Sequence, residues 1–125
     1  MDKPILAIFD SEERYAYGFM EFISNKSNLP FQVHVFTEPE RFFAYSKQEE
    51  IECLLISENV YQGEVEALNI PHIIILSESS DCLNKSLLHI HKYQSCEAIF
   101  REVMAYYMKE AGHVMSCVRT NTEKM

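Results

Sequence analysis

The fold is decided by one stretch of the sequence, PILAIFD at residues 4–10, an apolar run that ends abruptly in an acid. A run without polar alternation is typical of a strand covered on both faces, as strands in parallel sheets are. The next segment, from Glu13 to Ser24, carries apolar residues at helical spacing. A buried strand followed at once by an amphipathic helix predicts the first half of a strand–helix–strand crossover.

The same succession of apolar runs and amphipathic stretches continues along the chain. Runs that predict strands lie at residues 4–9, 31–36, 53–56, 72–76 and 87–93. Stretches that predict helices lie at residues 13–24, 38–48, 64–68 and 96–111. Strands that alternate with short helices favour right-handed crossovers. The sequence therefore predicts a three-layer α/β/α domain whose five-stranded parallel sheet has the order 2-1-3-4-5, the flavodoxin/CheY-like arrangement.

Several residues predict where the helices begin and end. Thr37 is expected to cap the second helix, with Glu40 completing a capping box, and Ser95 is expected to cap the last helix. Gly112 stands where a left-handed residue would end that helix. Residues 77–85 hold no good amphipathic pattern, so the fourth helix, between the fourth and fifth strands, is expected to be reduced or absent.

Length and charge exclude several classes of protein. The chain has 125 residues and a formal net charge of -8. One domain is expected at residues 1–112, with a C-terminal extension or linker toward a further domain at residues 113–125. The acidic balance argues against nucleic acid as a partner. No signal peptide is expected, and no apolar run approaches the roughly 20 residues needed for membrane insertion. Four widely spaced cysteines favour reduced thiols and a cytoplasmic location.

Motifs for nucleotide and metal chemistry are missing from the sequence. It contains neither a P-loop nor a G-x-G-x-x-G fingerprint, and its three glycines cannot form a loop that cradles a diphosphate. His89 and His91 share a strand face, but no third ligand for zinc is evident. The sequence therefore predicts no metal, no cofactor and no enzyme activity.

Polar residues stand where the predicted strands end. Asp10 follows the first strand, Ser57 and Glu58 the third, Ser77 the fourth, and Lys92 lies at the end of the fifth. Because the carboxyl ends of parallel strands meet at one edge of the sheet, these residues form the candidate site. Simpler roles are also open: Asp10 can cap the loop that enters the first helix, Lys92 can pair with Asp10 or lie at the surface, and both serines can occupy turns.

An acid after the first strand, a small polar residue after the fourth and a lysine ending the fifth resemble the receiver domain of bacterial response regulators. The resemblance covers about residues 4–111. In that family two acids follow the first strand, and an aspartate ending the third accepts a phosphoryl group. A serine or threonine ends the fourth strand, and a lysine followed by proline ends the fifth.

Carried over position by position, the resemblance shows that this chain departs from the family at two acids. Phe9 takes the place of the first acid and Asp10 that of the second, while Ser57 stands where the phosphate acceptor belongs. Ser77 and Lys92 match the hydroxyl and the lysine. Mg²⁺ needs carboxylate ligands, and a serine nucleophile needs a base. A receiver-like domain with a degenerate pocket is therefore predicted.

Two acids determine how many carboxylates the predicted pocket retains. Asp10 is expected to be its one certain carboxylate, because Glu58 should face away from Ser57 by strand alternation unless the chain turns. The alternative function is a response-regulator receiver that is phosphorylated at an unusual acid, either Glu58 or Asp10.

The last helix has a wider apolar arc than one packing face requires. Methionine and aromatic residues outside a core are typical of interfaces, although this small domain can also bury them itself. The candidate interface residues are Phe100, Met104, Tyr107 and Met108. In receivers the face formed by the fourth helix, fifth strand and last helix mediates dimerisation and output. The resemblance therefore implies protein partners, including a homodimer formed through the last strand and helix.

Two short segments support a narrower resemblance. LISE at residues 55–58 and KYQ at residues 92–94, together with the missing phosphate acceptor, look like the N-terminal domain of TadZ/CpaE-type proteins. These are MinD/ParA-like ATPases that place the Tad (Flp) pilus machinery. The resemblance implies a non-catalytic localisation module and an ATPase domain elsewhere in the full-length protein.

Overall fold

A computed structural model describes residues 3–26, 29–78 and 87–119, with side chains described through residue 109. The strands are β1 (Ile5–Phe9), β2 (Gln32–Phe36), β3 (Ile51–Ser57), β4 (His72–Ser77) and β5 (Leu88–His91). The helices are α1 (Glu13–Ser24), α2 (Pro39–Gln48) and α3 (Cys96–Arg119), with a 3-10 helix at Gly63–Leu68 between β3 and β4.

The five strands form one parallel sheet in the order β2-β1-β3-β4-β5. This confirms the predicted fold. The strand positions are also close to the prediction, except that β3 begins two residues earlier and β5 ends before Lys92. All five residues of β1 are buried, as its unbroken apolar run indicates.

Alternate side chains of the sheet build two separate cores. Leu6 and Ile8 lie in the core that α1 and α3 cover, while Ala7 and Phe9 lie in the core on the side of α2. Phe9 is fully buried, and its ring stacks on Phe42 with 4.7 Å between centroids. At the position where receiver domains carry their first acid, this chain therefore has a core residue.

The predicted helix ends are partly confirmed. The hydroxyl of Ser95 accepts a hydrogen bond from the Ala98 N–H at 3.0 Å, as expected of a cap. The capping box at Thr37 is wrong: α2 begins at Pro39 after an extended Glu38 with no side-chain cap bond. Thr37 lies one residue too early, and the fixed φ of proline starts the helix instead.

The last helix does not end at Gly112, as predicted, but continues to Arg119. A glycine inside a helix costs about 1 kcal/mol relative to alanine, which weakens a helix without stopping it. The expected reduction of the fourth helix falls on residues 79–86, outside the described residues. Among the described helices, none is long and apolar enough to cross a membrane.

Candidate functional site: carboxylates around a buried lysine

The sheet brings the predicted strand-end residues together at its carboxyl edge. Asp10, Ser57, Ser77 and Lys92 are all buried there. Ladder-type backbone bonds hold two of the strand ends in place: the Lys92 N–H donates to the Ser77 carbonyl at 2.8 Å, and the Asp10 N–H donates to the Phe36 carbonyl at 3.0 Å. The site is therefore positioned by the sheet itself.

The ammonium of Lys92 lies at the centre of the site and is fully buried. Its Nζ is 2.7 Å from Asp10 Oδ2 and 3.4 Å from Glu78 Oε2, and it also contacts the Glu12 carboxylate directly. We call these four residues the lysine–carboxylate cluster. A buried ammonium needs such partners, because an unpaired charge in the interior is strongly destabilising.

Aromatic rings enclose the same ammonium. Lys92 Nζ lies 4.7 Å from the centroid of the Tyr15 ring and 5.7 Å from that of Tyr93, both within cation–π range. Burial acts to lower the pKa of Lys92, but hydrogen bonds to Asp10 and Glu12 outweigh it and raise that pKa above its ordinary value. The lysine therefore stays charged at neutral pH.

Asp10 has two roles at once. Its Oδ2 meets the lysine, while its Oδ1 accepts a hydrogen bond from the Glu12 N–H at 2.9 Å. The second bond closes a turn that leads the chain into α1. The pocket interpretation and the helix-entry interpretation of this residue are therefore both correct.

Ser57 is connected to the cluster through Asn59. Its hydroxyl donates to Asn59 Oδ1 at 2.9 Å, and Asn59 Nδ2 donates to Glu78 Oε2 at 3.2 Å. The hydroxyl at the family's acceptor position thus donates to an amide rather than to a base. Nucleophilic attack by this serine has no support in the geometry.

Glu58 does not face away from the site. The chain turns directly after β3, where the Val60 N–H donates to the Ser57 carbonyl at 3.1 Å. This turn brings Glu58 Oε1 to 2.9 Å from the Ser77 hydroxyl, which donates to it. Strand alternation stops at the end of the strand, so the period-two expectation does not apply.

Three residues of the site were not predicted from the sequence: Glu12, Asn59 and Glu78. Asp10 was predicted to be the only certain carboxylate, and this was wrong. Each missed residue follows a strand end by one to three positions, where the turn directs side chains back toward the edge. Among the described residues, no group of three or more His, Cys, Asp or Glu side chains has an arrangement that could hold a metal ion.

The candidate interface residues divide into two groups. Phe100, Met104 and Tyr107 are partly buried and pack against the core under α1 and α3. Tyr107, for example, meets the Phe31 ring edge-on at 4.8 Å. Met108 is 57% exposed. The structure therefore places three of the four against their own domain and one in solvent.

Comparisons with known proteins bear on the fold alone. No protein-family model matches the sequence, and no curated protein matches it either. The structure is similar to that of a two-component transcriptional regulator AraC from Clostridium phytofermentans ISDg, with a TM-score of 0.66 and 16% identity. The match covers 88% of this chain and 99% of that one. The chain therefore has the flavodoxin/CheY-like α/β fold, in the form seen in a response regulator.

Proposed function

We propose that this chain is a receiver-like module that acts through protein contacts in the cytoplasm and catalyses no reaction. The observation that carries the proposal is the buried Lys92 ammonium, which already lies between Asp10, Glu12 and Glu78. The position that resembles the phosphate acceptor is held by Ser57, whose hydroxyl bonds to an amide.

The chemistry of phosphoryl transfer explains why this arrangement matters. Transfer to a carboxylate requires a free carboxylate nucleophile and a hard cation such as Mg²⁺, which takes oxygen ligands in octahedral geometry. Here Asp10, Glu12 and Glu78 already direct carboxylate oxygens at the tethered Lys92 ammonium. None of the three is a free nucleophile, so the cluster supports a fixed state rather than a switch.

Exposure to a small phosphodonor tests this proposal. The protein is incubated with acetyl phosphate and Mg²⁺, and its intact mass is measured at once. We expect the mass to stay unchanged. An added phosphoryl group that disappears in Asp10→Asn or Glu58→Gln would overturn the proposal and establish the alternative, a receiver phosphorylated at an unusual acid.

For the partner, we propose a second copy that contacts α3 and the neighbouring β5. Support comes from Met108, an exposed methionine on a helix that continues to Arg119. A glutamate buried in an apolar contact is costly, so Met108→Glu should lower the average mass measured by light scattering at high concentration. Lys109→Gln changes the net charge equally and should not lower it. Equal masses for both variants would contradict this contact.

A finer proposal concerns the larger protein. The segments at residues 55–58 and 92–94 support an N-terminal domain of a TadZ/CpaE-type ATPase of Tad pilus assembly. The coding sequence beyond residue 125 tests it. A Walker-type phosphate-binding loop downstream is expected, and a stop codon or a DNA-binding domain in that place would contradict it.

A further inference from the structure

The strand β2 lies at one end of the sheet and pairs with β1 on one side only. The Gln32 N–H donates to the Pro4 carbonyl at 2.9 Å, and the Phe36 carbonyl accepts from the Asp10 N–H at 3.0 Å. Residues 32, 34 and 36 therefore direct their backbone groups toward β1. By alternation, Val33 and Val35 direct theirs outward, where no described strand lies.

This edge lacks the usual protection against pairing. Edge strands are commonly blunted by lysine, proline or a bulge, yet residues 32–36 carry no charge, no proline and no glycine. Their register with β1 is unbroken. A groove of about 420 Å³ runs beside the strand, lined by Phe36 and by residues of the flanking helices such as Arg41 and Tyr45. The outer side is thus open to approach.

We propose that β2 pairs antiparallel with β2 of a second copy, about a two-fold axis through His34. The sequence Val-His-Val at residues 33–35 reads the same in both directions around this residue. The axis therefore places Val33 opposite Val35 of the second copy. The backbone groups of both residues point outward, so each such pair exchanges two backbone hydrogen bonds. The two copies of His34 form the non-hydrogen-bonded pair between them.

The chemistry of the strand fits a second copy better than a charged peptide. The chain as a whole carries a charge of -8, but the five residues of β2 carry none, so the copies meet without like charges in opposition. Valine facing valine across antiparallel strands is a favourable pair. His34 leaves the edge open, because its ring lies 5.2 Å from that of Tyr45 on the α2 side.

This contact is independent of the proposed function. It uses neither the lysine–carboxylate cluster nor α3, and it lies at the opposite end of the sheet from β5. If both contacts form, each copy has two different self-complementary surfaces. Such copies assemble beyond the dimer, into a closed tetramer where the two axes intersect and into an open row where they do not.

Removing one outward-facing N–H tests the contact. Val33→Pro deletes that donor but leaves the bonds to β1 intact, whereas Val33→Ala keeps the donor and shortens the side chain. Both are made in the Met108→Glu background, which weakens the α3 contact. Light scattering at high micromolar concentration should show dimer for Met108→Glu and for its Val33→Ala derivative, and monomer for the Val33→Pro derivative.

Disulfide cross-linking tests the register. In a non-hydrogen-bonded antiparallel pair the Cα atoms are about 4.5 Å apart, within the range that a disulfide spans. Mild oxidation of His34→Cys should give a covalent dimer on a non-reducing gel. Val35→Cys is the matched control, because it would face residue 33 of the second copy and should cross-link no more than the wild type with its native cysteines.

The outcomes separate the two contacts. A mass that Val33→Pro does not lower, or a Val35→Cys protein that cross-links as well as His34→Cys, overturns pairing through β2. If Met108→Glu lowers the mass of the wild type and Val33→Pro does not, the α3 contact stands and this one falls. If Val33→Pro lowers the mass and Met108→Glu does not, pairing through β2 stands and the α3 contact falls.

Discussion

The carboxyl edge of the sheet and the outer edge of β2 differ in where their polar groups find partners. At the carboxyl edge, Lys92 finds its charge partners inside the chain, in Asp10, Glu12 and Glu78. At the outer edge, Val33 and Val35 present backbone groups that no described strand pairs. The charges at the carboxyl edge are therefore satisfied within the chain, whereas the outer edge offers backbone groups to the proposed second copy.

Removing the central ammonium should have the largest effect. Lys92→Met leaves three carboxylates facing one another without a cation, and breaking a buried ion pair in this way costs about 3–5 kcal/mol. Urea unfolding measures the loss. Lys47→Met, at an exposed lysine of α2, is the control and should change the free energy of unfolding little. Equal stabilities for the two variants would mean that the lysine does not hold the cluster together.

The next largest effect distinguishes a buried partner of the lysine from an exposed one. Asp10→Asn keeps the shape and the bond to the Glu12 N–H but loses a charged hydrogen bond, at a cost of about 1.5–3 kcal/mol. Glu12→Gln alters a side chain that is 51% exposed and should cost less than about 1 kcal/mol. Both values come from the same urea titrations. A larger loss for Glu12→Gln would reverse the assigned roles.

Alkaline pH should lower the free energy of unfolding through Cys53, which lies on β3 between the two regions. Burial raises the pKa of the Cys53 thiol from 9 to about 12. The unfolded chain thus releases this proton first, so stability falls as pH rises from 9 toward 12, by up to about 1.4 kcal/mol per pH unit. Cys53→Ala should show a shallower decline in urea unfolding over this range. Parallel declines for the two proteins would contradict the assignment.

The smallest effect concerns the folded monomer at the β2 edge. At low concentration, Val33→Pro should change the free energy of unfolding by less than about 1 kcal/mol, because its N–H faces outward. His34→Pro removes a bond to β1 and should cost about 1–3 kcal/mol. Circular dichroism during thermal unfolding compares them. A Val33→Pro variant that is the less stable of the two would show that the alternation of β2 is misassigned.

The sequence was sufficient for the fold because the apolar runs at residues 4–9 and 72–76 require burial on both faces. It also brought Asp10 and Lys92 to the same edge of the sheet. The positions of Glu12 and Glu78 could not be predicted, because they depend on turn geometry after the strands and no periodic pattern describes it. A search for acids within three residues of each strand end would have found them.

The last helix shows a different limit of prediction. Phe100 and Tyr107 are of residue types that are common in interfaces, yet they pack against the core of their own domain. Periodicity identifies which residues share a helix face, but the width of the face that a domain covers is a property of its tertiary packing. Only the exposure of Met108 separates the candidates.

Lys92 already holds the carboxylates of the cluster, and we propose that no Mg²⁺ binds among them. Thermal unfolding of the wild-type protein with and without millimolar Mg²⁺ and a phosphate mimic tests it most directly, because a ligand of the native state raises the midpoint. We predict the same midpoint in both conditions. A midpoint that Mg²⁺ and the mimic raise in the wild type but not in Asp10→Asn would contradict the account.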